Sequence, residues 1–202
     1  IFSSAIFIAF NIRGLYGTME EAFRHSFFQV GSIITTCGYA TTDFDLWPET
    51  SKMILMLLMF IGACAGSTGG GIKISRLLIL CKSIPKQLSL VIHPREVKVI
   101  KMDGKSIDHN TLRATNVYLA IYFIILLVST LLISVDNFNL TTNFTAVAST
   151  LNNIGPGLDG VGPTRNFSMY SDFSKFVLMF DMLAGRLELY PLLVLFMPSL
   201  WR

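Results

Sequence analysis

The chain has 202 residues, 52% of them hydrophobic and only 14% charged, with a formal net charge of +3. Average soluble domains carry roughly 25% charged residues and disordered chains lack aromatics, so both classes are excluded by this composition. A net charge of +3 is too weak a field to gather nucleic-acid phosphates, so no nucleic-acid partner is expected. A membrane protein remains, and the helix-length apolar spans that follow make it an all-α one.

In chain order, Ile1–Phe10 is apolar, with neither the basic region nor the small-residue cleavage site of a signal peptide. It reads as the tail of a longer helix, and the chain as the C-terminal portion of a larger protein. Ala22 to Ile34 is apolar but too short to cross a bilayer, and it ends in Thr35-Thr36-Cys37-Gly38-Tyr39-Ala40. The next connection, Ala40 to Lys52, is acidic. A span from about Glu49 to Lys82 follows, interrupted by Gly66-Ser67-Thr68-Gly69-Gly70-Gly71. Each interior glycine costs a helix about 1 kcal/mol relative to alanine, so four within six residues predict a true break. The tract does not match a phosphate-binding GxxxxGK[ST] loop, and no strand precedes it.

From Lys82 to Arg113 there are seven basic residues against three acidic ones. The positive-inside rule makes this stretch cytoplasmic, so the short segments enter from outside and Arg202 ends inside. Asn116 to Val135 is twenty residues without a charge, roughly 30 Å as a helix and enough to cross. A second short apolar stretch, Phe144 to Ile154, leads into Asn152-Asn153-Ile154-Gly155-Pro156-Gly157. The last span, about Ser171 to Trp201, carries Asp181, Arg186 and Glu188 near its middle, while Trp47 and Trp201 fall where interfacial aromatics collect. Short apolar segments of this kind suggest re-entrant hairpins around a water-lined interior. Cys37, Cys64 and Cys81 show no CxxC or metal-ligand spacing, and no disulfide framework is expected.

An offset of 117 residues matches Gly38 to Gly155, and with it Phe27 to Phe144, Val30 to Val147, Ser32 to Ser149 and Ile34 to Leu151. The order helix, short helix, glycine tract, helix repeats as well, which points to a duplicated transport unit. The competing explanation is chance likeness between apolar segments. Thr35 to Tyr39 resembles the TVGYG tract of potassium channels, in which backbone carbonyls replace the water around a cation. Glycine permits the necessary dihedrals, and a short helix turns its partially negative C-terminal end toward the pore. Pro156 replaces the aromatic in the second tract, which predicts a stiffer quarter and looser selectivity. The plainer alternative is a glycine-rich interfacial turn.

Thr36–Tyr39, Ala65–Lys73, His93-Pro94, Asn153–Gly157 and Gly185–Glu188 together resemble the TrkH branch of the Trk/Ktr/HKT potassium transporter superfamily. That resemblance implies helix–pore-loop–helix repeats of the potassium-channel type. Residues 1–82 would be a third repeat with a truncated outer helix, 83–113 a cytoplasmic basic linker, and 114–202 a complete fourth repeat. It implies potassium as the transported ion, held at Thr36, Cys37, Asn153 and Ile154, with no covalent cofactor. It further implies lipid surroundings in a bacterial inner membrane, homodimer assembly and a cytoplasmic nucleotide-binding ring of the TrkA type. Two quarters cannot close a pore, so this chain alone is expected to be inert.

By the same resemblance, Gly66–Gly71 is an intramembrane loop gating the filter. An arginine at membrane depth costs at least about 2.5–3.5 kcal/mol and marks a pathway or a buried pair. At about 100° per residue, Asp181 and Glu188 share a helix face, while Arg186 lies about 140° from Asp181. The 117-residue offset sets Arg186 opposite Gly69. Arg186 is therefore read as facing the pore, the alternative being a pair with the missing repeats. Lys73 and Arg76 are expected as interfacial anchors. The sequons at Asn139, Asn143 and Asn166 are taken as accidental. An alternating-access carrier, such as a cation:proton symporter, is the competing function. An enzyme is not expected, because His25, His93 and His109 lie in loops or near an interface without a partnered carboxylate pair.

Overall fold

The side chains of Thr18 and Asn139 cap the starts of the two short helices, and the left-handed residues Thr36 and Asn153 lie just past their ends. The computed structural model describes residues 1–62, 64, 66–67, 69–93, 99–102 and 105–186, with backbone alone at Lys105 and His109. Glu188, Trp201, Pro94, Ala65 and Thr68 lie outside the described residues, as does the last span beyond Arg186.

Helix α1 (Phe2–Ile12) buries Ala5, Ile8, Ala9 and Ile12 and packs on α2 (Met19–Ile34). The Thr18 hydroxyl caps α2 by accepting from the Glu21 N–H, with Glu20 and Glu21 in the first turn where the helix dipole favours them. Helix α3 (Glu49–Phe60) ends at the glycine tract, and α4 (Ile74–Ile92) resumes after it. Helix α5 (His109–Ile133) continues through a 3₁₀ turn to Asp136, and Asn110–Asp136 is long and apolar enough to cross a membrane. Its exposed Ile124, Leu127, Leu131 and Val135 suit lipid. Helix α6 (Leu140–Leu151) is capped by Asn139, whose side-chain oxygen accepts from the Thr142 N–H at 2.8 Å. Helix α7 (Asp172–Arg186) closes the described chain.

At twelve residues α6 spans only about 18 Å, too short to cross, and it is buried from Thr142 through Leu151 except at Phe144. Its Thr, Ala and Ser residues let neighbouring backbones approach closely, which is how helices associate where water supplies no hydrophobic drive. Two cores result. One joins α1, α2 and α3 and takes Ile154 and Leu158 from the second glycine tract. The other joins α5, α6 and α7 and takes Ile72 from just after the glycine loop. Each helix–short-helix–helix unit therefore lends a piece to the other.

Several expectations need correcting. Helix α4 runs past Lys82 to Ile92, because Leu80, Ile84, Leu88 and Ile92 keep an apolar stripe at helical spacing despite Pro85. A small antiparallel hairpin, β1 (Lys101–Met102) with β2 (Lys105–Ser106), lies in what reads as plain linker. Trp47 is no interfacial belt residue: it is buried, and its indole N–H donates to the Tyr16 hydroxyl at 3.0 Å. No correction attaches to Cys37, Cys64 and Cys81, which are free thiols. Asn143 is buried and accepts from the Tyr170 hydroxyl at 2.9 Å, so that sequon is closed to modification.

Candidate functional site: two glycine tracts over a glycine loop

Both short helices end in the same turn. In the first, the Cys37 N–H bonds back to the Ser32 carbonyl at 2.9 Å and the Thr36 N–H to Ile33 at 3.1 Å. In the second, Ile154 bonds to Ser149 at 2.9 Å and Asn153 to Thr150 at 3.0 Å. These are paired Schellman turns, and every atom pair obeys the 117-residue offset. The left-handed residues match too: Thr36 (φ 55°) with Asn153 (φ 55°), and Gly38 (φ 78°) with Gly155 (φ 112°). A left-handed threonine is a true outlier, since branching at Cβ makes that region costly. Such strain persists where the surroundings impose it.

The two tracts touch. A Cβ on Gly38 would stand 3.2 Å from the Ile154 carbonyl carbon and 3.3 Å from Pro156 Cδ, with the Ile154 oxygen nearer still. Glycine is required here by close approach as well as by φ. Thr35, Cys37 and Tyr39 are exposed and Ile154 is buried, while Asn153, Gly155, Ser149 and Thr150 line a cavity of about 520 Å³ beside the second tract. The Ser32 hydroxyl donates to the Tyr39 carbonyl at 2.6 Å, holding the end of the first tract. The second tract is held by Gly157 N–H on the Val161 carbonyl at 2.7 Å and by Leu158 N–H on the Thr145 hydroxyl at 3.0 Å.

Beyond the tracts, the connections are pinned together. The Asp159 N–H donates to Asp45 at 3.0 Å, and the Thr164 hydroxyl donates to Asp43 at 3.1 Å. The Asp159 carboxylate accepts from the Asn139 amide and from the Thr142 hydroxyl, with Arg165 3.8 Å away. The Asn139 bond is the main reason its carboxyl sits below the usual range, with Thr142 and Arg165 adding to it.

The glycine loop packs against the second tract at Asn152. Gly62 N–H bonds to the Ile72 carbonyl at 2.9 Å and Ile72 N–H to the Phe60 carbonyl at 3.2 Å, so the loop's two ends are clasped. Gly66 and Gly71 have φ of 86° and 79°. Gly70 lies against the Asn152 backbone, where a Cβ would fall 2.7 Å from the carbonyl carbon. Gly185 in α7 meets Leu151 in the same way, its Cβ falling 2.8 Å from that carbonyl carbon. Ser67, Gly69, Gly71, Lys73, Arg76, Tyr118, Gly185 and Arg186 line one cavity of about 130 Å³. The loop and Arg186 are thus brought together, along with Lys73 and Arg76, expected from the sequence as interfacial anchors.

The offset that pairs Arg186 with Gly69 does not survive beyond the tracts. Both inner helices open with an acid–lysine pair at i,i+3, Glu49–Lys52 at 2.6 Å and Asp172–Lys175 at 3.5 Å, and with a fully buried serine, Ser51 and Ser174. These features align at an offset of 123, because the second connection is six residues longer. Gly185 then matches Gly62, and Arg186 matches Ala63. Asp181 is buried and accepts from the Ser129 hydroxyl at 2.7 Å.

The sequence reading missed Asn152 as a site residue. It is fully buried, with the Tyr122 hydroxyl donating to its side-chain oxygen at 2.8 Å. The signal was available, since Asn152 stands at the 117-residue offset from Thr35. Among the described residues, no group of three His, Cys, Asp or Glu side chains is placed to hold a metal ion. The oxygens available at the paired turns are carbonyls and hydroxyls.

Short helices ended by matched strained turns, set between longer helices, define a helical membrane protein of the pore-loop class. Residues 16–202 match the family model described as TrkH, a cation transport protein, and the chain belongs to that family. It is 39% identical over 93% of its length to the Trk system potassium uptake protein TrkH of Vibrio parahaemolyticus. It is 38% identical over 93% to the protein of that name from Escherichia coli K12, and 33% identical over 94% to the Escherichia coli K12 Trk system potassium uptake protein TrkG. The crystal structure of the potassium transporter TrkH from Vibrio parahaemolyticus superposes with a TM-score of 0.88 at 36% identity, over 98% of this chain and 42% of that one. The chain spans 38% of the length of the curated relatives named here.

Proposed function

We propose that this chain supplies two of the pore-lining repeats of a potassium-uptake protein. The observation that carries the reading is the pair of matched left-handed turns, strained at Thr36, that meet at Gly38 and Ile154. In a membrane interior, exposed main-chain oxygens are costly unless something occupies them, and a dehydrating monovalent cation is such an occupant. On this reading the carbonyls of Thr36 and Cys37, with those of Asn153 and Ile154, contribute to the ion sites. Thr35, Gly38, Tyr39, Gly155, Pro156 and Gly157 complete the two tracts.

Residues 1–82 and 114–202 act as the third and fourth repeats, and 83–113 as the cytoplasmic connection in a multi-pass protein of the bacterial inner membrane. The glycine loop, Gly66 to Gly71, is the gate beneath the filter, and Arg186 presents a positive charge that opposes cation passage while the loop is seated. What supports this is their shared cavity and the contact of Gly70 with Asn152. On the family resemblance drawn from its motifs, the intact protein works as a homodimer on a TrkA-type nucleotide-binding ring.

The test is rubidium uptake by potassium-transport-deficient cells carrying the full-length protein. Saturable uptake that does not depend on pH supports the channel-like reading. Uptake that follows the proton gradient would assign the protein to the cation:proton carriers instead.

A further inference from the structure

Asn152 occupies the point where the second tract, the glycine loop and the membrane-crossing helix α5 meet. Its side-chain amide donates to the Ala148 carbonyl at 2.7 Å, and its side-chain oxygen accepts from the Tyr122 hydroxyl at 2.8 Å. Gly70 lies on its backbone carbonyl, and a Cβ on Gly71 would fall 3.0 Å from its side-chain oxygen. The next residue, Asn153, donates from its side chain to the Met182 carbonyl at 3.0 Å, three residues before Gly185. Tyr122 is itself fixed: it is 1% exposed and stacks on Tyr118 at 6.5 Å, whose ring carries the Arg76 guanidinium 3.9 Å from its centre. Arg76 belongs to the first turn of α4, just after the loop.

The first unit has a plainer version of this position. Thr35, at the 117-residue offset from Asn152, makes the same backward bond, its hydroxyl donating to the Gly31 carbonyl at 2.7 Å. Thr35 is exposed, and its one hydroxyl is committed to that bond. The amide of Asn152 keeps the bond and adds an acceptor, which Tyr122 uses. A helix cap alone requires only the first of these.

We propose that Tyr122 and Asn152 form a positioning pair that holds a rigid seat for the glycine loop, so that the loop's closed position depends on the hydroxyl of Tyr122. The inference rests on the gate reading above. With the bond intact, Asn152 is held from three sides and the loop closes against a fixed surface. Without it, the amide oxygen is left unsatisfied and free to turn toward the loop, and the seated arrangement loses its advantage.

The test uses the full-length transporter in liposomes without a partner ring, reading basal rubidium leak. Tyr122→Phe removes the hydroxyl alone, and Asn152→Thr installs the first unit's residue, keeping the bond to Ala148 while losing the one to Tyr122. Each is expected to raise leak by about threefold to tenfold, the range one buried hydrogen bond supports. The double variant should leak no more than the stronger single. A lowered midpoint with wild-type leak, or fully additive leaks, overturns the pair's role and leaves Tyr122 a structural residue. Gly70→Ala serves as the internal reference. If it leaks while both pair variants stay tight, this inference alone fails; if it too stays tight, the gate reading fails with it.

Discussion

Alanine at Gly70 pushes the glycine loop off its seat without straining the loop's own backbone. Gly70 is not among the residues with positive φ, so an alanine there carries no left-handed penalty. Its Cβ would instead lie 2.7 Å from the Asn152 carbonyl carbon, against about 3.5 Å for an ordinary carbon–carbon contact. Something must move by about 0.8 Å, and Asn152 is tied to Ala148 and Tyr122. The loop is therefore the part that yields. Overpacking of this size costs about 1–3 kcal/mol, and it is felt only where the loop is seated. If the seated loop is the closed gate, the closed-to-open ratio falls by about 5-fold to 150-fold. Rubidium leak from liposomes holding the full-length protein should rise accordingly. Gly66→Ala is the control: nothing lies within 4 Å of its Cβ, and φ is 86°. That change strains the loop by about 1–2 kcal/mol but pushes against no neighbour, so its leak should stay below that of Gly70→Ala. Equal leaks from the two variants, or a tight Gly70→Ala with folded protein confirmed, refute the steric argument.

Gly38→Ala should abolish rubidium uptake, because its Cβ drives into the backbone of the other tract at Ile154 and Pro156, whereas Gly155→Ala meets no neighbour and should impair uptake through local backbone strain alone. Comparable residual uptake in the two variants, at equal abundance, would remove the coupling between tracts. Arg186→Ala should raise cation leak through the intact transporter; unchanged flux at normal abundance eliminates its gating role. The depressed Asp159 pKa contributes stability that is present above the ordinary carboxylate value and is lost as pH falls through the folded value. Thermal melts of Asp159→Asn should accordingly show a shallower loss on the acid side than wild type, and parallel curves would contradict the assignment.

Local signals were legible in the sequence, and long-range ones were not. The charge-free run in α5, the broken helix at Gly66–Gly71 and the two short helices follow from composition and spacing, which act within a few residues. The match of Gly38 to Gly155 carried real geometry, down to the left-handed partners Thr36 and Asn153. It failed past the tracts because an offset cannot register six added residues in a polar connection. Trp47 looked like a belt residue because its hydropathy is the same whether lipid headgroups or Tyr16 satisfy its indole N–H. Tyr122 and Asn152 stand 30 residues apart in unlike segments, and nothing local announces that they meet. Asp45 and Asp159, 114 residues apart, are hidden for the same reason. The hairpin did have a local cue, the Asp103-Gly104 dipeptide between short segments, and charge counting passed over it.

The account stands on cations meeting main-chain oxygens at the two strained turns. Crystals of the full-length protein grown in rubidium, with diffraction recorded at the rubidium absorption edge, test this most directly. Anomalous peaks beside the carbonyls of Thr36, Cys37, Asn153 and Ile154 are the predicted result. Peaks confined to carboxylates such as Asp45 and Asp159, with none between the two turns, contradict it.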